Sequence, residues 1–339
     1  MSAWPQVPAV DERAALDELP VEAVEACMCD LVARHGGRLA ARMAREHLDA
    51  GGKRLRARLA LAAARALGGD ADLAVGWAAA CELLHNASLI HDDWQDGDRV
   101  RRGEPALWTR YGGEQAVNAG DLLLMLPTLA VGEIDVPDAL KWRLAACVAR
   151  HGARTAAGQA EEMDLRSLRR LDMEAYLDAA LGKTAGLFGL PVEGAAILTG
   201  HSDEDARRLA APFEVLGLAF QLVDDVIDLY GEKGRGRRGA DIAEGKVSAL
   251  VVAHLARHPE DRLWLAGVLR SGREQIDQDT IDDVIARFAE AGALDDVLSR
   301  IRSIVAELDT PALAAEPALR RVGRAIRDRV LQPLEVVRG

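Results

Sequence analysis

Twice in this chain an apolar run of helical spacing ends in aspartates at positions i, i+1 and i+4. The first set is Asp92, Asp93 and Asp96, within 82–103 (ELLHNASLIHDDWQDGDRVRRG); the second is Asp224, Asp225 and Asp228, directly after Phe220-Gln221-Leu222-Val223. Residues four apart share one face of a helix, so Asp92 and Asp96 point at the same small volume. At an effective dielectric of ~20 and ~5.5 Å apart, two such carboxylates repel by ~3 kcal/mol; in bulk water the figure is below ~1 kcal/mol. The face is stable if it is solvated or if a cation sits between the acids. Oxygen-rich sites of this kind suit Mg²⁺, which takes one or two carboxylates per ion and is completed by waters and substrate phosphates. Arg101 and Arg102 follow the first trio, and a glycine-rich basic loop and Lys246 follow the second. Guanidinium forks match phosphate oxygens. For the first stretch alone an acidic helix end followed by a basic turn, both solvated, is an even competitor; the second copy favours two trios that hold one diphosphate through bridging metal ions.

The remaining text is helical. Alanine, leucine, arginine and glutamate dominate, apolar residues recur three and four apart, and period-two runs of Val, Ile and Thr are missing. The expected fold is all-α: a single-domain bundle of about a dozen helices with short connections, covering 16–339 after a flexible arm at 1–15. Pro20, Pro137, Ser202 and Thr280 mark helix starts, and Pro127 should kink or end its helix. Gly51-Gly52 precedes Lys53 and Arg56, which are spaced to meet one anion at a helix N-terminus; a helix cap before an ordinary basic face is the alternative. The 231–239 segment, GEKGRGRRG, is too glycine-rich for a helix and reads as a mobile basic lid over diphosphate.

Lysine plus arginine number 42 against 54 acids, a net charge of −12. That balance excludes a general nucleic-acid binder, whose affinity comes from neutralising many phosphates. Cys27, Cys29, Cys81 and Cys147 have no CxxC spacing and read as buried thiols. No segment reaches the ~18 apolar residues of a membrane span. The first dozen residues lack a signal core, so a cytoplasmic location is expected.

GGKRLR at 51–56, ELLHNASLIHDDWQD at 82–96, RRG at 101–103, GKT at 182–184, FQLVDD at 220–225 and GADIAEGK at 239–246 resemble, in this order, the motifs of trans-isoprenyl diphosphate synthases, the polyprenyl synthetase family. The resemblance covers about residues 20–330. It implies helices around a deep central cavity, a homodimer, and three Mg²⁺ ions between the aspartate motifs. Asp92, Asp96 and Asp224 would then bind metal directly, with Asp93, Asp225 and Asp228 acting through waters or neighbouring side chains. Arg101, Lys183 and a basic residue of the 231–239 loop, Arg237 or Lys233, would hold the allylic diphosphate, with Lys246 a further substrate-binding residue. Lys53, Arg56, His85 and Arg102 would hold isopentenyl diphosphate, and Thr184 and Gln221 would sit over the reacting carbons. Asp121 fits the family pattern, and Gly158-Gln159 with Glu161, Glu162 and Asp164 resembles a segment that lines the cavity mouth.

The implied reaction ionises an allylic diphosphate, so cationic groups and metals must stabilise the leaving group while the cavity stays dry. The helix before the first trio would set product length. Ala87 and Ser88, five and four residues before Asp92, are small and leave the upper cavity open; Leu84, Cys81 and Trp77 follow on successive turns of the same face. Trp77 lies ~22 Å along the axis from Asp92, comparable to a twenty-carbon chain. It is a possible floor for a geranylgeranyl-length or longer product, with ordinary core packing at least as good an account. A lyase on the same scaffold, or a non-catalytic regulatory subunit, are the rival readings. Ala57 stands where proline commonly follows GGKRLR, Ser248 replaces a frequent threonine, Arg237 replaces a loop lysine, and Trp94-Gln95 inside the first trio are unusual.

Overall fold

The computed structural model describes residues 16, 19–167, 171–231, 238–271 and 275–337. The N-terminal arm and most of the basic loop, including Lys233 and Arg237, lie outside them. The described residues group into two compact units, each assembled from segments distant in sequence. The first draws on Met1–Ala153, Leu187–Phe213 and Asp309–Ala325; the second on Arg154–Gly186, Glu214–Leu308 and Ile326–Gly339.

The fold is all-α. In chain order the helices are α1 (Val21–His35), α2 (Leu39–Asp49), α3 (Leu55–Ala66), α4 (Ala71–Asp96), α5 (Leu107–Tyr111), α6 (Gly113–Glu133), α7 (Asp138–Leu165), α8 (Met173–Ala180), α9 (Gly186–Leu198) and α10 (Asp203–Tyr230). Seven more follow between Ala240 and Leu331, which brings the total among the described residues to seventeen rather than a dozen. The surplus is in short helices such as α5, whose few residues show no periodicity. Between α4 and α5, Val100–Arg101 and Glu104–Pro105 pair as a two-residue hairpin. Arg102 and Gly103 at its tip both have positive φ, 55° and 85°, the backbone a two-residue hairpin turn requires.

The first unit is organised on α4, which packs along α6, α3 and α1. Asp70 caps it by accepting from the amides of Asp72 and Leu73, and Gly97 closes it in the left-handed conformation. By length and mean hydropathy, 1.3, this helix meets the test for a membrane span, contrary to the expectation above, but 67% of that window is buried within the protein. It is a core helix: Trp77, Cys81, Leu84, Ala87 and Ile90 are all at most 2% exposed. Of the two outcomes expected at Pro127 the ending is excluded, and one helix start moves. Pro127 lies inside α6, which continues to Glu133 because packing against α4 and α1 holds it beyond the missing amide bond. Thr280 lies inside a helix capped by Asp277, whose carboxylate accepts from the Thr280 amide and hydroxyl.

Candidate functional site

In the first unit the last turn of α4 presents the first acid trio. Asp92 and Asp96 are half-buried, whereas Asp93 is buried and accepts from Arg101 Nε at 2.7 Å and from its Nη2. Burial pushes the Asp93 carboxyl up to about 6 against the opposing pull of Arg101. Arg101 also lies 3.6 Å from Asp98. The hairpin therefore positions this arginine beside the trio.

Behind the trio lies a basic group. Arg56, in the first turn of α3, is buried with its guanidinium 4.7 Å over the Phe188 ring, and burial lowers its pKa to about 10. His85 on α4 is pushed well below the ordinary histidine range by burial and then by Arg56 and Arg102, so it is neutral. Arg102 donates to the Gly51 carbonyl and lies against Gly52. Three of the four residues expected to share an anion thus influence one another directly. Lys53, the fourth, is exposed and precedes α3.

The local fold explains this grouping. Glu82, 1% exposed, reaches across from α4 to accept the Ala57 amide at 3.0 Å and lies 4.0 Å from Arg54. It thereby docks the N-terminus of α3, an end that favours a negative group. Sequence patterns missed His47, which is also buried, lowered to about 3 by burial and then by Arg102 and Arg101. With Arg101, Arg102 and Arg110 it lines a cleft of about 380 Å³. Its place on the inner face of the strongly amphipathic α2 was the available signal.

The wall expected to set product length also belongs to this unit. Trp77 is fully buried, its Nε1–H donates to Pro191 O at 2.9 Å, and its ring lies on Gly194. A Cβ on Gly152 of α7 would stand 3.5 Å from Leu84. Ser88 Oγ donates to its own helix, to His85 O at 2.8 Å. Cys147 and His151 on α7 and Glu193 on α9 form a buried cluster with ligand atoms within 4.8 Å of one another. Glu193 accepts from His151 at 2.8 Å and from Arg150, and burial pushes the Cys147 thiol up, so it stays protonated.

In the second unit, α10 carries the other trio. Asp225 accepts from Tyr176 Oη at 2.6 Å, Ala249 N at 2.6 Å and Gln221 Nε2 at 3.0 Å, and burial raises it to about 7. Asp228, also buried, accepts the Asp241 amide at 3.1 Å. Each acid thus accepts a first-turn amide of a downstream helix, Asp225 from Ala249–Arg257 and Asp228 from Ala240–Ala243. Asp224 remains half-buried. Gln221 also accepts from Thr184 Oγ1 at 3.0 Å, which makes a chain Thr184–Gln221–Asp225–Tyr176.

Thr184 and Lys183 sit in a π-helical turn, Leu181–Ala185, a local widening often found at functional sites. Gly182 in this turn lies so close to Gly158 of α7 that a Cβ on it would stand 2.7 Å from the Gly158 Cα. The two glycine motifs, read separately in the sequence, are one backbone contact. Lys183 pairs with Glu162, Lys246 pairs with Glu244 at 2.9 Å, and Glu161 and Asp164 are exposed.

The donor set suits a hard divalent cation. In each trio the buried aspartates are engaged by Arg101 or by backbone amides, and carboxylate oxygens of Asp92, Asp96 and Asp224 remain at partly exposed positions. A few carboxylates with room for water and phosphate is what Mg²⁺ takes.

The polyprenyl synthetase family model matches residues 38–287. A short chain isoprenyl diphosphate synthase of Methanothermobacter thermautotrophicus is 39% identical over 266 residues, 75% of this chain and 80% of that protein. A geranylgeranyl pyrophosphate synthase of Geoglobus acetivorans is 32% identical over 265 residues, 78% of this chain and 81% of that one. A polyprenyl synthase from Caulobacter crescentus, solved with calcium and isoprenyl diphosphate, superimposes with a TM-score of 0.77 at 29% identity, covering 95% of this chain and 99% of that one.

Proposed function

The chain belongs to the polyprenyl synthetase family, and from that premise we propose that it is a trans-prenyltransferase. It joins isopentenyl diphosphate head-to-tail to an allylic diphosphate and releases an all-trans product of geranylgeranyl length. The observation that carries elongation over a one-substrate lyase is the grouping of buried Arg56 with half-buried His85 and Arg102. A lyase has no second diphosphate for such a group to hold.

In this reading Arg56, His85, Arg102 and the exposed Lys53 bind isopentenyl diphosphate. Neutral His85 supplies one N–H donor without adding charge. Arg101, Lys183 and Lys246 take the allylic diphosphate, each exchanging part of its present acid contact, with Asp93, Glu162 and Glu244, for phosphate oxygens. Asp92, Asp96 and Asp224 would hold Mg²⁺, three ions in all, which when bound neutralise charge on the departing diphosphate. Thr184 and Gln221 present oxygen dipoles to the reacting carbons, and the apolar face of Leu84 and Ala87 excludes the water that would quench a carbocation. Alkylation is followed by loss of a proton to the departing diphosphate, so no protein nucleophile is needed. A Gln221 variant that still ionises substrate but no longer loses the proton would overturn that last assignment.

A homodimer is part of the same proposal. Val117, Met125 and Leu129 lie at four- and eight-residue spacing on α6 and are exposed, as is Trp142 on α7 at 74%. A second copy covering that stripe removes it from water. Sedimentation of Met125→Glu should show a shift toward monomer, and an unchanged species would remove this face from consideration.

The deciding assay incubates purified protein with Mg²⁺, isopentenyl diphosphate and dimethylallyl, geranyl or farnesyl diphosphate in turn. Consumption of both substrates supports elongation. Loss of the allylic substrate alone indicates the lyase, and no turnover indicates a regulatory subunit.

A further inference from the structure

We propose that Trp94 is a positioning residue, whose indole clamps the last turn of α4 from behind and so holds Asp92 and Asp96 together on the opposite face. The proposal rests on the reading of those two aspartates as metal ligands.

The turn needs a clamp. It carries three acids at the C-terminal end of a helix, where the macrodipole is negative and disfavours them. Past the helix its carbonyls are met by the Gly97 amide, which reaches Asp93 O and, at 3.4 Å, Trp94 O, and by the Asp98 amide on Asp93 O, at 2.9 Å. At 3.6 residues per turn, Trp94 projects about 160° away from both Asp92 and Asp96, to the back of the helix.

There it meets a built seat. A Cβ on Gly113, the first residue of α6, would stand 2.5 Å from the Trp94 ring, so only glycine allows this approach. Trp108 of α5 packs against Trp94 with centroids 5.4 Å apart and planes at 59°. Trp108 is itself tied down, its Nε1–H donating to Asp98 O at 2.7 Å and the Arg99 guanidinium lying 5.9 Å over its ring. Asp93 is held from another side by Arg101. Trp94 nevertheless remains 44% exposed, which sets it apart from the residues that fill the core. The tryptophan inside the acid motif and the glycine at the start of α6 thus form one joint, and the two-acid face is what it leaves presented.

The test measures Mg²⁺ binding in the presence of inorganic pyrophosphate by calorimetry, with hydrogen exchange of amides 92–98 as a second readout. Trp94→Ala, and Gly113→Ala, which evicts the ring without touching the trio, should each weaken Mg²⁺ binding about tenfold, the usual cost of losing a group that orients metal ligands. Both should speed exchange in the turn, and Trp94→Phe should retain most of the wild-type affinity. Asp96→Asn separates the two ideas. If it binds Mg²⁺ as the wild type does, the metal assignment itself fails. If it is defective while folded Trp94→Ala or Gly113→Ala binds normally, only the positioning role is overturned. Should Trp94→Ala not fold, Gly113→Ala alone decides.

Discussion

The indole of Trp77 rests directly on the backbone of Gly194, close enough that any Cβ there would overlap the ring, while its Nε1–H is fixed to Pro191 O at 2.9 Å. A side chain held on both its polar edge and its flat face cannot swing aside for a growing chain. Trp77→Ala should therefore yield products longer than the wild-type enzyme makes, at a stability cost of about 3–5 kcal/mol for the deleted ring. Mass spectrometry of the prenyl products, with Trp77→Phe as the milder companion, checks this; an unchanged length distribution removes Trp77 as the floor.

The Ala57–Glu82 bond supplies a reason for one departure from the family text. Proline, common after GGKRLR in that family, has no amide to give Glu82, and here that amide bond is made at 3.0 Å to a carboxylate 1% exposed. Since proline fits sterically in the first turn of a helix, Ala57→Pro isolates the bond. Losing a donor to a buried carboxylate should cost about 1–3 kcal/mol in urea unfolding; full stability in the variant would show that Glu82 is satisfied without it.

Acid sensitivity should follow His47. Its pKa is lowered to about 3 by burial and by Arg102 and Arg101, whereas in the unfolded chain it is about 6.5. Between these values the unfolded state binds a proton that the native state refuses, so stability rises with pH across that window and is lost as pH falls. His47→Gln should flatten the dependence of unfolding free energy on pH between about 6.5 and 4. A slope equal to the wild type's there would show that His47 titrates normally in the fold.

Tyr176→Phe should expose how much the second trio depends on its surroundings. Asp225 loses one of three bonds, the hydroxyl at 2.6 Å, and burial already raises it to about 7. The expected loss is about 1–3 kcal/mol in stability, with a fall in activity that grows as pH is lowered and the carboxyl is more easily protonated. A variant with wild-type stability and pH profile would place the control of Asp225 in Gln221 and the Ala249 amide instead.

The all-α class, the two acid trios, the basic arginine pair and the family itself were legible in the amino-acid sequence, because helical periodicity and motif spacing are local properties of a few turns. The rest was not legible for physical reasons: whether α6 runs on past Pro127 is decided by the neighbours that hold it, and α5 is too short to show a period. What only the folded chain decided is which member of each trio is turned inward and who meets it. Asp93 pairs with Arg101, Asp225 with Tyr176, Glu82 with Ala57, and Trp77 with Pro191, 114 residues away. A buried polar group must find a partner, but nothing in its own stretch of chain says from which distant segment that partner will come.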